Sequence, residues 1–236
     1  MAEPIMMTDP LLFAAACGLK LNNPELLVQA FTHRSYLNEH REVKHDHNER
    51  LEFLGDAVLE LVTTNFLYRE YPKKPEGELT AYRASLVNTT TLSDAAARLK
   101  MNDYLRLSKG EAKDIGRARQ YILANTFEAV IGAIYLDQDY DIAAKFIAGN
   151  LLYRMKDIIS KNLWQDAKSL FQEKAQEAEG VTPAYEVLSE VGPDHNKRFT
   201  VGVYLNEEKV AEGAGHSKQE AEQEAARAGL EKKGWE

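Results

Sequence analysis

Residues 48–60 read NERLEFLGDAVLE and carry three carboxylates, Glu49, Glu52 and Asp56, spaced three and four positions apart. At 100° per residue these fall within about a 60° arc of one helix face. Leu51, Leu54, Val58 and Leu61 point the opposite way. Carboxylates gathered so closely repel one another and call for a counter-charge. Oxygen ligands of this kind suit a hard divalent cation such as Mg2+. A solvated acidic face shows the same spacing, and Glu60 and Thr63 lie on the same side, so spacing alone leaves both readings open. Phe53, Gly55 and Leu59 favour the first, because they predict a helix apolar over most of its circumference, where carboxylates wasted on bulk water are unexpected.

A second helix, predicted over 121–136, puts Asn125, Glu128 and Gly132 on one face, with Leu123, Val130 and Ile134 across from them. Gly132 leaves room beside the polar pair. The bland reading of Glu128 is a core-helix carboxylate paired with Arg117 or Arg119.

The elements that must position these groups are read from hydrophobic period. From 24 to 154 apolar residues recur at three and four positions, as in Leu51, Leu54, Val58, Leu61 and Val62, and again in Leu123, Phe127, Val130 and Ile134. That is helix after helix. Pro72 and Pro75, Gly110 and Gly116, and the polar run 137–141 mark the breaks. Beyond Trp164 a helix over 166–179 stops at Gly180, and a period of two follows in Tyr185, Val187, Ser189 and Val191. Phe199, Val201, Val203 and Leu205 continue it, residues 206–208 form a turn, and 210–215 a third strand. An alanine-rich helix over 217–233 closes the chain. The expected fold is mainly α: an all-helical domain over 1–160, a linker at 161–165, and over 166–236 a small α+β domain of a helix, three antiparallel strands and a helix.

The 236 residues are 44% hydrophobic and 28% charged, a balance that suits soluble globular domains. Glu3 and Asp9 precede the apolar stretch 11–19 where an export signal would place Lys or Arg, and no apolar run reaches the roughly 20 residues that span a bilayer. Cys17 is the only cysteine, which excludes an internal disulfide and a thiolate metal cluster and suits a reducing cytoplasm. The net charge of −8 argues against a general nucleic-acid binder. The excess is uneven: 15 acidic and 9 basic residues from Trp164 onward, 22 and 20 before it. Any nucleic-acid contact must use local basic clusters.

NERLEFLGDAVL closely resembles the signature of the ribonuclease III family. FTHRSYLNE from Phe31, PEGELTAYRASLVN from Pro75, ILANTFEAVIGAIYLD from Ile122 and GPDH from Gly192 resemble further family blocks in the family's order. The resemblance runs from about Leu19 to near the end and is to the bacterial form, with one endonuclease domain and one double-stranded-RNA-binding domain. It implies endonucleolytic hydrolysis of duplex RNA to 5′-phosphate and 3′-hydroxyl products, in rRNA and mRNA precursor processing. It implies a homodimer through the catalytic domain, so that two centres cut two strands. Glu52, Asp56 and Glu128 match the family's central acidic residues; Glu49 and Glu76 match supporting ones. Asn125 departs from the pattern, standing where Asp is usual: its carbonyl can still ligate Mg2+, but it brings no negative charge and cannot act as a base. On this reading Glu52, Asn125 and Glu128 hold magnesium, Asp56 positions the attacking water, and Glu49 and Glu76 act from further out.

Duplex RNA is recognised by shape, through 2′-hydroxyls in its minor groove and phosphates across the major groove. Gln172, Glu173 and Gln176 on the first helix of the second domain are expected at one minor groove, His195 in the GPDH loop at another, and Ser217 and Lys218 at phosphate. Each residue by itself reads equally as ordinary surface. Gln219 stands where the family usually has a second Lys, which with the acidic surplus predicts weak, strongly salt-dependent binding.

Two other readings compete. Asn125 allows a catalytically weakened double-stranded-RNA-binding protein. Glu42, His45, Asp46 and His47 allow a His-Asp metal phosphohydrolase, although they lie in the polar run HREVKHDHNER, which reads as a surface loop. No GxxxxGK[ST] occurs.

Overall fold

The computed structural model describes residues 9–114, 116–193 and 197–235. They form two compact units, Met1–Trp164 and Gln165–Glu236. The first contains α1 (Pro10–Ala16), α2 (Pro24–Ala30), α3 (Arg34–Glu39), α4 (Glu49–Glu70), α5 (Glu76–Leu86), α6 (Thr89–Arg98), α7 (Arg117–Asp137), α8 (Tyr140–Asn150) and α9 (Met155–Ser160). Local chemistry sets many of the starts. Asp9 and Asn23 cap α1 and α2 ahead of a Pro in the first turn, and Asn88 and Asp139 accept from backbone N–H groups opening α6 and α8.

Helix α7 is the centre of this unit. Leu123, Ala124, Thr126, Phe127, Ala129, Val130, Ile131, Gly132, Ala133 and Ile134 are all buried, as befits a helix covered on nearly every side. Helix α4 lies against it. Its buried arc is Leu51, Gly55, Val58, Leu59, Val62, Thr63 and Leu67. This is narrower than the sequence predicts: Phe53 is 81% exposed and Leu61 58% exposed within the single chain. The reason is the direction of approach, since the Gly55 side of α4 meets α7. No helix among the described residues is long and apolar enough to cross a membrane.

The second unit opens with α10 (Ala167–Glu179), capped by Asp166 and ended at Gly180, whose φ of 69° is the left-handed conformation that stops helices. Strands β1 (Ala184–Val191), β2 (Arg198–Leu205) and β3 (Glu208–Gly215) form an antiparallel sheet in the order β1-β2-β3, and α11 (Lys218–Lys233) closes it. Phe171 and Ala175 from α10, Val201, Val203 and Leu205 from β2, Val210 from β3, and Ala221, Ala225 and Leu230 from α11 make the core. The period-two pattern of β1 does not translate into burial: Val187 and Val191 are exposed, and the register shifts between Val187 and Ser189. A bulge re-aims the side chains beyond it.

Candidate active site

The close approach of α4 and α7 builds the site. A Cβ added at Gly55 would lie 1.8 Å from the backbone carbonyl oxygen of Glu128, and one added at Gly132 would lie 2.2 Å from that of Leu51. The two backbones therefore touch, each at the other's glycine. Glycine inside a helix costs about 0.5–1 kcal/mol relative to alanine, so a pair of them facing one another needs such a contact to justify it. The contact brings Glu52 and Asp56 of α4 up to Glu128 of α7.

Asn48, which precedes α4, is buried; its N–H donates to the Thr32 carbonyl at 3.0 Å and its amide to the Ala30 carbonyl at 3.3 Å. This fixes the start of α4 against the end of α2. Glu49 and Glu52 then fall in the first turn, where the positive helix end favours them.

The electrostatics are those of a cluster short of positive charge. Burial, then the nearby Asp56 and Glu52, push the Glu128 carboxyl up to about 8. Glu52 is also raised, by burial first and then by Glu49 and Asp56, while the Asn125 amide turned toward it favours its charged form. No three His, Cys, Asp or Glu side chains among the described residues converge into a finished coordination sphere. The carboxylates are near enough to raise one another. The donor chemistry, carboxylate and amide oxygens, fits a hard divalent ion.

The structure thus brings together Glu52, Asp56, Asn125 and Glu128. Glu49 stands one turn before Glu52, its oxygens 3.5 Å from Arg34 and 3.9 Å from His47. Glu76 opens α5 and accepts from Thr80 Oγ1 at 2.9 Å, bonding to none of the other four carboxylates. Arg119 is committed to the carbonyls of Glu111 and Asp114 and to Asn102, which removes it as a partner for Glu128. His45 faces the Asp46 carbonyl and Glu42 pairs with His40, so the polar run 40–50 gathers no second centre.

In the second unit Gln172, Glu173 and Gln176 are exposed on α10. Ser217 caps α11 by accepting from the Glu220 N–H at 3.2 Å, and the Lys218 ammonium lies 5.8 Å from the centre of the Phe199 ring. His195 lies outside the described residues.

A cavity of about 330 Å³ adjoins the cluster, lined by His33, Arg34, Glu49, Glu52, Tyr121 and Asn125 among others. Sequence reasoning missed His33 and Arg34. Their signal was present in the block FTHRSYLNE, but nothing in its spacing ties it to α4.

Comparison with known proteins gives the family to which this fold belongs. Residues 23–155 match the family described as ribonuclease-III-like, and residues 167–233 the double-stranded RNA binding motif. Ribonuclease 3 of Carboxydothermus hydrogenoformans is 46% identical over 214 residues, covering 91% of each chain. Ribonuclease 3 of Natranaerobius thermophilus is 47% identical over 208 residues, covering 88% of this chain and 90% of its own. The nuclease domain of the Campylobacter jejuni ribonuclease III superposes with a TM-score of 0.52 at 34% identity, over 58% of this chain and 95% of that domain. The chain belongs to the ribonuclease III family and joins that family's helical nuclease fold to a double-stranded RNA binding motif.

Proposed function

We propose that this chain, a double-stranded-RNA endonuclease, works through a divalent cation, magnesium, held by Glu52, Asn125 and Glu128. The observation that carries this is the Glu52, Asp56 and Glu128 cluster, built by backbone contact between two helices, whose carboxylates raise one another. When bound, the ion neutralises phosphoryl oxygens and lowers the pKa of the attacking water. Asp56, the most exposed of the three, orients that water for in-line attack. Glu49 and Glu76 act from further out. The products carry 5′-phosphate and 3′-hydroxyl ends, and the work is the maturation of rRNA and mRNA precursors in the cytoplasm.

Two strands need two centres, which a twofold homodimer of the nuclease unit supplies. Phe53, Leu61 and Tyr68 are 81%, 58% and 74% exposed on α4, and at 100° per residue they share an 80° arc. Such an apolar stripe marks an interface. The Campylobacter jejuni domain has a region involved in dimer formation. In the second unit Gln172, Glu173, Gln176, His195, Ser217 and Lys218 contact the duplex.

The test is incubation of a long end-labelled RNA duplex with the purified chain at low salt, in magnesium or in chelator. The expected result is shortening of duplex but not single-stranded RNA, in magnesium only. Cutting that persists in chelator overturns the metal mechanism.

A further inference from the structure

The cavity beside the carboxylate cluster holds two groups that the proposed chemistry leaves unused. The His33 ring is one. The Ser35 N–H points at its Nδ1 from 3.3 Å, and a backbone N–H can only donate, so Nδ1 is the unprotonated nitrogen. Ser35 Oγ accepts from the Ser108 N–H at 3.1 Å and lies 2.8 Å from the same Nδ1, so its own proton also goes to the ring. The His33 proton therefore sits on Nε2, which has no hydrogen-bond partner among the described residues. The Arg34 guanidinium is the other. It is 69% exposed, and its one hydrogen-bonding contact among the described residues is 3.5 Å to Glu49, made by one of its five N–H donors.

We infer that His33 and Arg34 form a binding site for a backbone phosphate of the RNA next to the one that is cut. This rests on the nuclease reading and extends it. The site is continuous with the cluster, because Glu49, Glu52 and Asn125 line the same cavity. A strand laid along the cluster carries one charge per nucleotide, and Glu49 and Glu52 repel it. Arg34, at the cavity wall beside Glu49, offsets that repulsion and offers the planar fork that suits phosphate. His33 adds a neutral donor whose direction is fixed from behind by two hydrogen bonds. In a chain of net charge −8 such placed donors carry the contact that overall charge opposes.

The experiment compares wild type with Arg34→Ala, Arg34→Lys and His33→Asn. Asn retains a capping acceptor for the Ser35 N–H while removing the Nε2 donor, so α3 keeps its start. Binding of one short RNA duplex is titrated in calcium across a salt series, and KM and kcat are measured in magnesium. One lost phosphate contact makes the slope of log affinity against log salt shallower by about 1. The affinity deficit of Arg34→Ala then shrinks by about 3- to 4-fold between 50 and 200 mM salt. Arg34→Lys keeps the wild-type slope, and His33→Asn raises KM with little change in slope. Equal slopes for wild type and Arg34→Ala, with any loss confined to kcat, overturn the inference and leave Arg34 as a partner of Glu49 only. A wild type that binds but does not cut in magnesium overturns the nuclease mechanism instead, and the binding slopes still decide the phosphate site.

Discussion

Replacing Gly55 by Ala tests whether backbone contact between α4 and α7 builds the centre. The new Cβ would stand 1.8 Å from the Glu128 carbonyl oxygen, and Cβ atoms essentially never come within 3.0 Å of a neighbour. The helices must therefore part by about 1.2 Å at the crossing, and the obstructing atom is backbone, which cannot swing aside. Overpacking of this kind costs about 1–3 kcal/mol, against about 0.5–1 kcal/mol gained by replacing a helical glycine. The net expectation is a loss of up to about 2.5 kcal/mol. The catalytic effect is larger, since a misplacement of about 1 Å can cost about 100-fold in rate, and the parting separates Glu128 from Glu52 and Asp56. Gly149→Ala is the control: it lies in α8 with nothing within 4 Å of its added Cβ, so it should be neutral or slightly stabilising. Urea unfolding and kcat/KM on one RNA duplex, measured for both variants, decide the matter. A Gly55→Ala chain as stable and as active as the Gly149→Ala chain would falsify the contact.

Three further predictions follow from the same site and its surface. In chelator, stability should fall as pH rises toward and through about 8, because burial and the neighbouring Asp56 and Glu52 favour the protonated Glu128 carboxyl. A group whose folded pKa is raised contributes stability that is complete below its unfolded value near 4.5 and lost above its folded one. At about 1.4 kcal/mol per unit the span for Glu128 is on the order of several kcal/mol, and Glu128→Gln should flatten that decline; an unchanged pH profile of the unfolding midpoint counts against the cluster. Asn125→Asp should lower the magnesium concentration for half-maximal cutting and reduce stability in chelator, since it replaces an amide facing Glu52 by a like charge; movement of both quantities in the opposite sense refutes the placement of Asn125. Phe53→Glu should halve the mass seen by light scattering while leaving the stability of each chain within about 0.5 kcal/mol, and a dimer that survives moves the interface off α4.

The helical and α+β architecture was legible because α4, α7 and α11 are long and unbroken by Pro, while the strands show a period of two. Asp166 and Ser217, read from the sequence as the first residues of their helices, are the residues that cap them. Periodicity placed Glu49, Glu52 and Asp56 on one face, and Asn125 with Glu128 on another, but period says nothing of which helices meet. The meeting of Gly55 with Glu128, and of Gly132 with Leu51, is a contact across more than 70 residues, and only the oddity of glycine inside two helices hinted at it. Phe53 misled for a related reason: an apolar residue reads as buried, whereas this one is largely exposed within its own chain. Val187 and Val191 misled because alternation reads as one buried face, whereas β1 is exposed along nearly its whole length.

Asn125 illustrates how the cluster balances two demands. A site for a hard cation needs carboxylates close together, and the same carboxylates destabilise the chain before the ion arrives: Glu52 and Glu128 are both held toward their neutral forms. A fourth carboxylate at position 125 would strengthen cation binding and deepen that penalty. An amide supplies an oxygen for the ion and turns a donor toward Glu52 in its absence, so the penalty falls while the ligand count is kept. The repulsion that remains is contained by geometry, since two helices locked backbone to backbone at Gly55 and Gly132 cannot drift apart to relieve it. Charge placement and glycine contact therefore act together: without the contact, like charges would separate, and without the charges, the contact would have nothing to align.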